Sequence, residues 1–332
     1  MTYKPAGHTG LWCMYVPRRD TPSDVSIVCN RGVRRLRVAL YGDCSKILLM
    51  VESLKKYVEQ ITELPTVPVV AQEILGIVDD KLASVDRLEK VIQNDPAICA
   101  KVLSVANSVF FRIKEQEPVR TLGSAIVRIG FNNVKNIAVG VSLLSVFDDG
   151  KRAEDFDYQR IFNHSVTVGF IAKLLYGSIK QNITEEIVVN GMLHDLGFMV
   201  LNRYFSGEYR KVLKKMGKEV SLLEAEKAVL GFNHTDIGAW LAEKWNLPRN
   251  ISDTVLYHHS PSLSKRKSKG MAVIHLADYV ATRNIMGPVR NDPGYPLDHS
   301  SLDMLGMSED DLENMEAEIG KGSFSDDPFK TG

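Results

Sequence analysis

From Met50 onward, apolar residues recur every three or four positions along the chain and almost nowhere alternate with polar ones. This spacing places the apolar side chains on one face of an α-helix, whereas alternation would indicate a half-buried β-strand. Short polar segments separate the periodic stretches. The pattern therefore predicts an all-α fold, a helical bundle built from two lobes.

Signals for helix ends agree with this prediction. Asp95 followed by Pro96 provides an N-cap and a first-turn proline, and Ser221 with Glu224 has the spacing of a capping box. The charged stretch over residues 148–155 has no helical period and separates two groups of helices. We therefore expect a first lobe over residues 50–150, a second over 151–285, and an acidic tail with one short helix over 286–332.

Residues 1–49 differ from the rest of the chain. Basic residues outnumber acidic ones there, no helical period is sustained, and strand-like pieces at 25–29 and 36–41 are too isolated to predict a sheet. Two interpretations remain open. Either the segment is a basic arm that contacts a partner, or it is upstream sequence and the natural start is Met50. We favour the second interpretation and expect a leader without a domain or chemistry of its own.

Composition and charge narrow the classes of function. Of 332 residues, 41 are basic, 41 are acidic and 44% are apolar, which is typical of a globular protein and not of a basic nucleic-acid binder. The longest apolar run, at 137–147, is too short to cross a bilayer as a helix. The amino terminus has no export signal, and the four cysteines lack metal-binding spacing. We expect a cytoplasmic protein with reduced thiols that binds neither a membrane nor nucleic acid directly.

The predicted helices of the second lobe carry ionisable side chains on their apolar faces. His164, for example, is in register with Ile161 and Val168. The next predicted helix runs through His194 and Asp195, which lie about 100° apart around it. The six inward groups are His164, His194, Asp195, His234, His258 and Asp278. A lone inward histidine is usually a satisfied core residue, but a buried carboxylate needs a counter-charge. The set predicts a divalent transition metal inside the lobe, and imidazole with carboxylate suits iron, manganese, zinc or nickel.

The motifs around these residues resemble a known family. The pair His194-Asp195 inside GMLHDLG, between His164 and Asp278, is similar to the H…HD…D pattern of the HD superfamily of metal-dependent phosphohydrolases. HDOD domains, which are related to these enzymes, are similar at LPTVP (64–68), NDPAICAKVLSVANS (94–108), AIVRIG (125–130), AEKAVLGFNHTDIGAWLAEKWNLP (225–248) and IHLADYVA (274–281). The resemblance covers about residues 55 to 285 and implies an all-helical, cytoplasmic bacterial protein of signal transduction with an HD-like lobe.

The resemblance also implies a role for each matching position. The positions that match the ligands of a mononuclear HD site are His164, His194, Asp195 and Asp278. The additional ligands of the binuclear HD-GYP branch match His234 and one or both of His258 and His259. In that branch an aspartate, here Asp195, bridges two metals that support attack of hydroxide on phosphorus.

The sequence departs from the hydrolytic pattern in three places. Phe198 stands where active HD enzymes usually have a lysine, which would contact phosphate. Arg160 stands one turn before His164, where the HD-GYP branch often has a carboxylate, and the histidine pair continues as SPSLSKRK instead of glycine-tyrosine-proline. A Gly-Tyr-Pro tripeptide at 294–296 lies outside the expected place, and we interpret it as coincidence.

A basic run at Lys265, Arg266 and Lys267 precedes the predicted helix of Asp278. It is a weak candidate for meeting an anion at the mouth of the site. The ordinary interpretation of such a run is a solvated loop, and we favour it.

Two functions remain open. One is a regulatory module of bacterial signalling that binds a signalling protein or a ligand such as a nucleotide, with or without a metal. The other is a metal-dependent phosphohydrolase that acts on a nucleotide or cyclic dinucleotide. The ligand set favours the enzyme, whereas the three departures favour the module, which we take as the leading interpretation.

Overall fold

The computed structural model describes residues 13–18, 21–29, 32–35, 44–77, 83–108, 111, 117–148, 157–178, 186–217, 220–285, 287–289 and 295–321. The helices in these residues are α1 (Cys44–Gln60), α2 (Val69–Leu75), α3 (Ala83–Gln93), α4 (Pro96–Ala106), α5 (Leu122–Ile129), α6 (Phe131–Ser145), α7 (Tyr158–Ser178), α8 (Ile187–Leu193), α9 (Leu196–Lys215), α10 (Leu222–Leu230), α11 (His234–Lys244), α12 (Arg249–Tyr257), α13 (Lys269–Asn284), α14 (Ser300–Leu305) and α15 (Glu309–Lys321). A 3-10 turn at Pro261–Leu263 lies between α12 and α13. Among the described residues, no helix has the length and apolarity needed to span a membrane.

The segment before α1 contains a small antiparallel sheet. Its strands are β1 (Cys13–Arg18), β2 (Thr21–Cys29) and β3 (Gly32–Arg35), and they pair in that order. Cys13 lies opposite Cys29, and Val28 lies opposite Val33. The expectation that this segment forms no sheet is therefore wrong, because short connections let neighbouring pieces pair as hairpins. The strand-like piece at 25–29 belongs to β2, whereas the one at 36–41 lies outside the described residues.

From Cys44 onward, the described residues form helices and connections, with one isolated bridge between Gly217 and Val220. The predicted all-α class is confirmed for this body of the protein. Helix α1 begins at Cys44, ahead of Met50, and its buried residues Val51 and Leu54 follow that methionine. The start at Met50 stays a prediction.

The first lobe is organised around α6, which packs against α2, α4 and α5. The Asp95 carboxylate caps α4 by accepting hydrogen bonds from the amides of Ala97 and Ile98, at 3.0 and 3.1 Å. Helix α6 also packs against α8 of the second lobe, so the buried apolar residues of both lobes form one continuous core. Most of the predicted lobe boundary lies outside the described residues, which resume at position 157.

The second lobe is organised around α7, which packs against α8 and α13, while α9 packs against α10 and α11. The sequence predicts one helix through His194 and Asp195, and this is wrong: α8 ends at Leu193 and α9 begins at Leu196. Hydrophobic periodicity does not reveal so short an interruption, because the apolar spacing continues across it. After α13, the structure has two helices, α14 and α15, where one was expected.

Candidate metal centre

The predicted ligands meet where the helices of the second lobe converge. His164 lies in α7, Asp278 in α13, and the His194-Asp195 pair in the turn between α8 and α9. The remaining members are His234, His258 and His259, of which the first begins α11 and the other two follow α12. All seven side chains come together, and all are buried except that of His259, which is 11% exposed.

Asp195 lies at the centre of this cluster. Its Oδ2 is 3.1 Å from Nε2 of His194 and 3.3 Å from Nε2 of His164. Its Oδ1 is 3.4 Å from Nε2 of His258 and 3.5 Å from Nε2 of His234. The two oxygens of one carboxylate therefore face two different pairs of imidazoles.

Asp278 faces the same imidazoles from the opposite side. Its Oδ1 is 3.1 Å from Nε2 of His164 and 3.6 Å from Nε2 of His194. His259 completes the other end of the cluster, with its Nε2 2.9 Å from Nε2 of His234 and its Nδ1 3.8 Å from Oδ2 of Asp278. The cluster therefore has a His164 end and a His259 end, joined by two carboxylates.

Hydrogen bonding supports a metal as the missing partner. Within the described residues, the buried cluster atoms without a hydrogen bond of acceptable geometry include Nε2 of His194, Oδ1 of Asp195, Nε2 of His258 and Nδ1 of His259. Buried polar atoms in proteins almost always have a partner. Three groups of side chains have ligand atoms within 4.8 Å of one another, namely His164/His194/Asp195, Asp195/His234/His258/His259 and His194/His258/Asp278. The donor set of imidazole nitrogens and carboxylate oxygens fits a divalent transition metal.

The imidazoles are held by contacts of their outer nitrogens. Nδ1 of His194 lies 2.7 Å from the carbonyl oxygen of Gly191, and Nδ1 of His258 lies 3.0 Å from that of Val255. A carbonyl oxygen only accepts, so Nδ1 of each ring carries the proton and donates it. In the neutral form of both rings, the Nε2 lone pair then faces the cluster, as metal coordination requires.

The two carboxylates stay ionised inside the lobe. Burial disfavours their charge, but His194 and His164 hold the pKa of Asp195 and of Asp278 well below the ordinary value. Burial also opposes charge on the imidazoles, yet interactions with Asp195 and Asp278 raise the pKa of His164 to about 9 and that of His194 to about 10. At neutral pH the two negative charges are therefore balanced by two imidazolium rings.

The imidazoles at the other end of the cluster differ in the direction of their pKa shifts. Burial lowers the pKa of His258, although Asp195 partly opposes this effect. Burial, together with the neighbouring His258 and His234, holds the pKa of His259 well below its ordinary value. At His234, burial is outweighed by the neighbouring Glu226 carboxylate, which raises the pKa of that imidazole. His258 and His259 are therefore the neutral nitrogen donors of this end, the form that binds metal.

A narrow pocket that opens to solvent reaches the cluster. Two kinds of residue line it: the cluster members Asp195, His234, His259 and Asp278, and the surrounding residues Phe198, Leu222, Leu223, Thr282, Pro288 and Tyr295. The described lining contains no Lys or Arg, so an anion entering this pocket would meet apolar walls, two hydroxyl groups and the cluster itself. The mouth is suited to a ligand that carries an apolar group beside its charge.

Tyr295 is a site residue that the sequence analysis missed. Its hydroxyl lies 2.7 Å from Oδ2 of Asp278, to which it donates, and its ring centroid lies 4.2 Å from that of His259. Tyr295 therefore adjoins the cluster, while the interpretation of the tripeptide at 294–296 as a coincidental match stays a prediction, since Gly294 lies outside the described residues. The hydrophobic pattern did not mark Tyr295, because this residue lies after α13 in a segment of sequence without helical period.

Phe198 is placed where it cannot substitute for a lysine. Its ring stacks on His234, with centroids 4.0 Å apart and planes 20° from parallel, so it packs against the cluster and offers no charge to a phosphate. The side chains of Lys265, Arg266 and Lys267 are exposed and are not among the residues that line the pocket. Anion binding by this basic run stays a prediction.

These features define a class of protein: a helical bundle with a candidate metal site in its interior. The chain matches the model of the HDOD domain over residues 64–261, which is more than half of its length. The chain belongs to the HDOD family, as its motifs indicated. Asp278 and Tyr295 follow the matched region, so part of the site lies beyond the family domain.

Three solved structures share the fold. An HDOD domain protein with unknown function from Geobacter sulfurreducens has a TM-score of 0.69 and 24% identity, covering 83% of this chain and 95% of that chain. A candidate signal transduction protein from Marinobacter aquaeolei VT8 has a TM-score of 0.63 and 21% identity, covering 83% and 63%. A candidate metal-dependent phosphohydrolase from Shewanella amazonensis SB2B has a TM-score of 0.52 and 19% identity, covering 83% and 99%. At these identities the likeness establishes the fold alone.

One curated relative extends well beyond this chain. An uncharacterized protein from Treponema pallidum (strain Nichols) is 23% identical over 212 residues, which make up 61% of this chain. The chain spans 39% of the length of that relative.

Proposed function

We propose that this protein is a signal-transduction module whose second lobe holds two divalent transition-metal ions and uses them to bind a phosphate-bearing ligand. The observation that carries the proposal is the position of Asp195, whose two carboxylate oxygens face two separate pairs of imidazoles within 3.5 Å. A carboxylate in that position is a natural bridge between two cations.

The side chains divide into two metal positions that share Asp195. The first position is formed by His164, His194, Asp195 and Asp278, and the second by Asp195, His234, His258 and His259. Bound metals would neutralise phosphate oxygens and lower the pKa of a bound water. The surrounding helices contribute by fixing the ligands and by excluding bulk water from the cluster.

The pocket supports a ligand role for this centre. It is lined by members of both metal positions, Asp278 from the first and His234 and His259 from the second. A phosphate group can reach the metals from this side, while Phe198 and Leu222 contact the rest of the ligand. A nucleotide combines a phosphate with an aromatic group, so we place it among the ligand classes to test first. A protein partner would recognise the ligand-bound state at the outer surface of the module.

Elemental analysis tests whether the protein binds metal at all. The purified protein should contain iron, manganese, zinc or nickel, and after chelation it should take up two equivalents on addition of Mn²⁺ or Zn²⁺. Asp195→Ala should lose both equivalents, because it removes a ligand from each position. Asp236→Asn is the matched control, since Asp236 is an equally buried carboxylate in α11 that caps the helix and lies outside the cluster. A folded wild-type protein that takes up no metal refutes the proposal.

Hydrolysis of a phosphodiester is a second candidate function, favoured by the same bridging position of Asp195. The metal-loaded protein is incubated with a panel of cyclic dinucleotides and nucleotide phosphodiesters. If the wild type forms product and Asp195→Ala forms none, the protein is a phosphodiester hydrolase. If the loaded protein binds a member of the panel without cleaving it under any of the four metals, the binding module stands and the enzyme is rejected.

A further inference from the structure

Glu226 is a fully buried carboxylate beside the cluster, in the middle of α10. Its Oε1 accepts a hydrogen bond of 2.6 Å from the hydroxyl of Tyr209. Its Oε2 lies 2.9 Å from Nδ1 of His234 and accepts a hydrogen bond of 3.1 Å from the His234 amide. Both oxygens are therefore engaged, and two of the three contacts fix a single histidine.

This contact differs in kind from those of the neighbouring ligands. The outer nitrogens of His194 and His258 meet backbone carbonyl oxygens, which are neutral acceptors. That of His234 meets a carboxylate. A carboxylate accepts the Nδ1 proton more strongly than a carbonyl does, and it thereby raises the donor strength of the opposite nitrogen, Nε2. Nε2 of His234 is the atom that faces Asp195 and His259.

We propose that Glu226 is the positioning residue of the second metal position, acting through His234 to fix the ring and strengthen its bond to the metal. This inference rests on the proposed two-metal centre. Glu226 does not reach the metals itself, because the imidazole stands between its carboxylate and the cluster. Its negative charge adds to those of Asp195 and Asp278 and helps to balance two divalent ions in a buried site.

A purely structural role makes a different prediction. Glu226 accepts a hydrogen bond from the first amide of α11, so it could serve only to cap that helix. Helix α11 already has a complete capping box, in which Asn233 and Asp236 each accept from the other's amide. A capping role would affect stability and leave metal affinity unchanged, whereas the positioning role changes affinity at one of two positions.

In the experiment, the full-length, metal-free protein is titrated with Mn²⁺. The electron paramagnetic resonance signal of the free ion measures how much Mn²⁺ remains unbound. The wild type should bind two equivalents. His234→Ala removes a ligand and identifies which equivalent belongs to the second position. Glu226→Gln keeps the shape and hydrogen-bonding capacity of the side chain and removes its charge. We expect Glu226→Gln to bind Mn²⁺ at the second position about 10- to 100-fold more weakly than the wild type. Its Mn²⁺ affinity at the first position should stay within about twofold of the wild-type value.

Two further variants separate positioning from folding. Asp236→Asn weakens the cap of α11 and should lower the melting temperature while both Mn²⁺ affinities stay at the wild-type values. Tyr209→Phe removes the 2.6 Å hydrogen bond to Glu226 and leaves the carboxylate in place. Tyr209→Phe should lower the Mn²⁺ affinity of the second position, as Glu226→Gln does, but by less than about tenfold. It tests the inference even if Glu226→Gln fails to fold.

The outcomes distinguish this inference from the proposed function. If the wild type binds two equivalents and neither Glu226→Gln nor Tyr209→Phe changes the second affinity, the positioning role is wrong and the metal centre stands. Equal losses at both equivalents also overturn it, since the role is specific to His234. If the wild type takes up neither Mn²⁺ nor Zn²⁺, both proposals fall together.

Discussion

At the scale of single residues, the centre is a balance between carboxylates and imidazoles. Asp195 and Asp278 are buried and ionised, and protons on His164 and His194 offset their charge. Metal ions and protons compete for the same nitrogens, so metal affinity at such a site rises with pH as the protons leave. The chemistry of the site is therefore tied to the pH dependence of the fold.

We expect the metal-free protein to lose stability as the pH rises through 9 to 10. The folded pKa values of His164 and His194, about 9 and about 10, lie above the ordinary 6.5. Their protonation therefore stabilises the fold fully below about pH 6.5, and this contribution disappears as the pH passes the folded values. Urea midpoints at pH 8 and pH 10 measure the loss. The urea midpoints at pH 8 and pH 10 should differ less for His164→Asn than for the wild type. A wild-type midpoint that does not change with pH would contradict the raised pKa values of His164 and His194.

Tyr295→Phe tests the residue that the sequence did not reveal. The change removes the hydroxyl that donates to Asp278 and keeps the ring beside His259. We expect a loss of about 1.5–3 kcal/mol in the free energy of unfolding, since a hydrogen bond to a charged group is lost, together with weaker binding of metal at the first position. Tyr279→Phe is the control, because Tyr279 follows Asp278 in α13 but its hydroxyl accepts a hydrogen bond from Arg283; this change should leave metal binding unchanged. Equal metal affinities of the wild type and Tyr295→Phe would remove Tyr295 from the site.

At the scale of secondary-structure elements, two close helix contacts set the positions of the ligands. A Cβ on Gly197 of α9 would lie 1.8 Å from the carbonyl oxygen of His234, where α11 begins. A Cβ on Gly191 of α8 would lie 2.5 Å from the Cα of Gly169 in α7. Both glycines belong to the GMLHDLG motif and flank His194 and Asp195. The motif therefore supplies ligands and also lets α7, α8, α9 and α11 approach closely enough for the ligands to meet.

Gly197→Ala should destabilise the protein by at least about 1–3 kcal/mol, because the new methyl group would overlap backbone atoms of α11 that have no room to move. It should also weaken metal binding, since His234 would be displaced. Gly207→Ala is the matched control on the same helix: its Cβ would meet nothing within 4 Å. That substitution should stabilise the protein by up to about 1 kcal/mol through helix propensity. Similar urea midpoints for the two variants would show that the contact is not close.

At the scale of the whole molecule, the two lobes behave as one packing unit. Helix α6 of the first lobe contacts α8, and Nζ of Lys101 on α4 lies 3.1 Å from Oδ2 of Asp148 and 3.3 Å from the hydroxyl of Tyr158, where α7 begins. Among its described residues, the first lobe contributes no side chain to the centre. Its role is to support α7 and α8, on which His164 and the HD pair depend.

Expression from Met50 tests the extent of this unit. Val51 and Leu54 of α1, which follow Met50, are buried, and Tyr57 packs edge-on against Phe205 and Phe232, with centroids at 4.9 and 5.1 Å. We therefore expect a chain that begins at Met50 to fold and to bind the same number of metal equivalents as the full chain. Circular dichroism, thermal unfolding and a metal titration measure this. Loss of a cooperative transition would show that residues 1–49 are required, and the start-site hypothesis would then be wrong.

The sequence by itself determined the helical class, the family and the identity of the inward-facing groups. Each of these depends on local information: apolar spacing reports which face of a helix is buried, and the HD motif and its neighbours lie in short segments. The inward positions of His164 and Asp278 followed from periodicity alone, because a polar group in an apolar register is visible without any partner.

Only the tertiary structure decided which groups meet. The sequence placed His194 and Asp195 about 100° apart on one helix, whereas the turn between α8 and α9 brings both side chains to His164 and its neighbours in the cluster. Glu226 looked like an ordinary member of a capped helix until its contact with His234 appeared, and Tyr295 had no periodic pattern to mark it. Distances between helices depend on close packing, such as that at Gly191 and Gly197, and contacts between residues distant along the chain leave no local pattern to read.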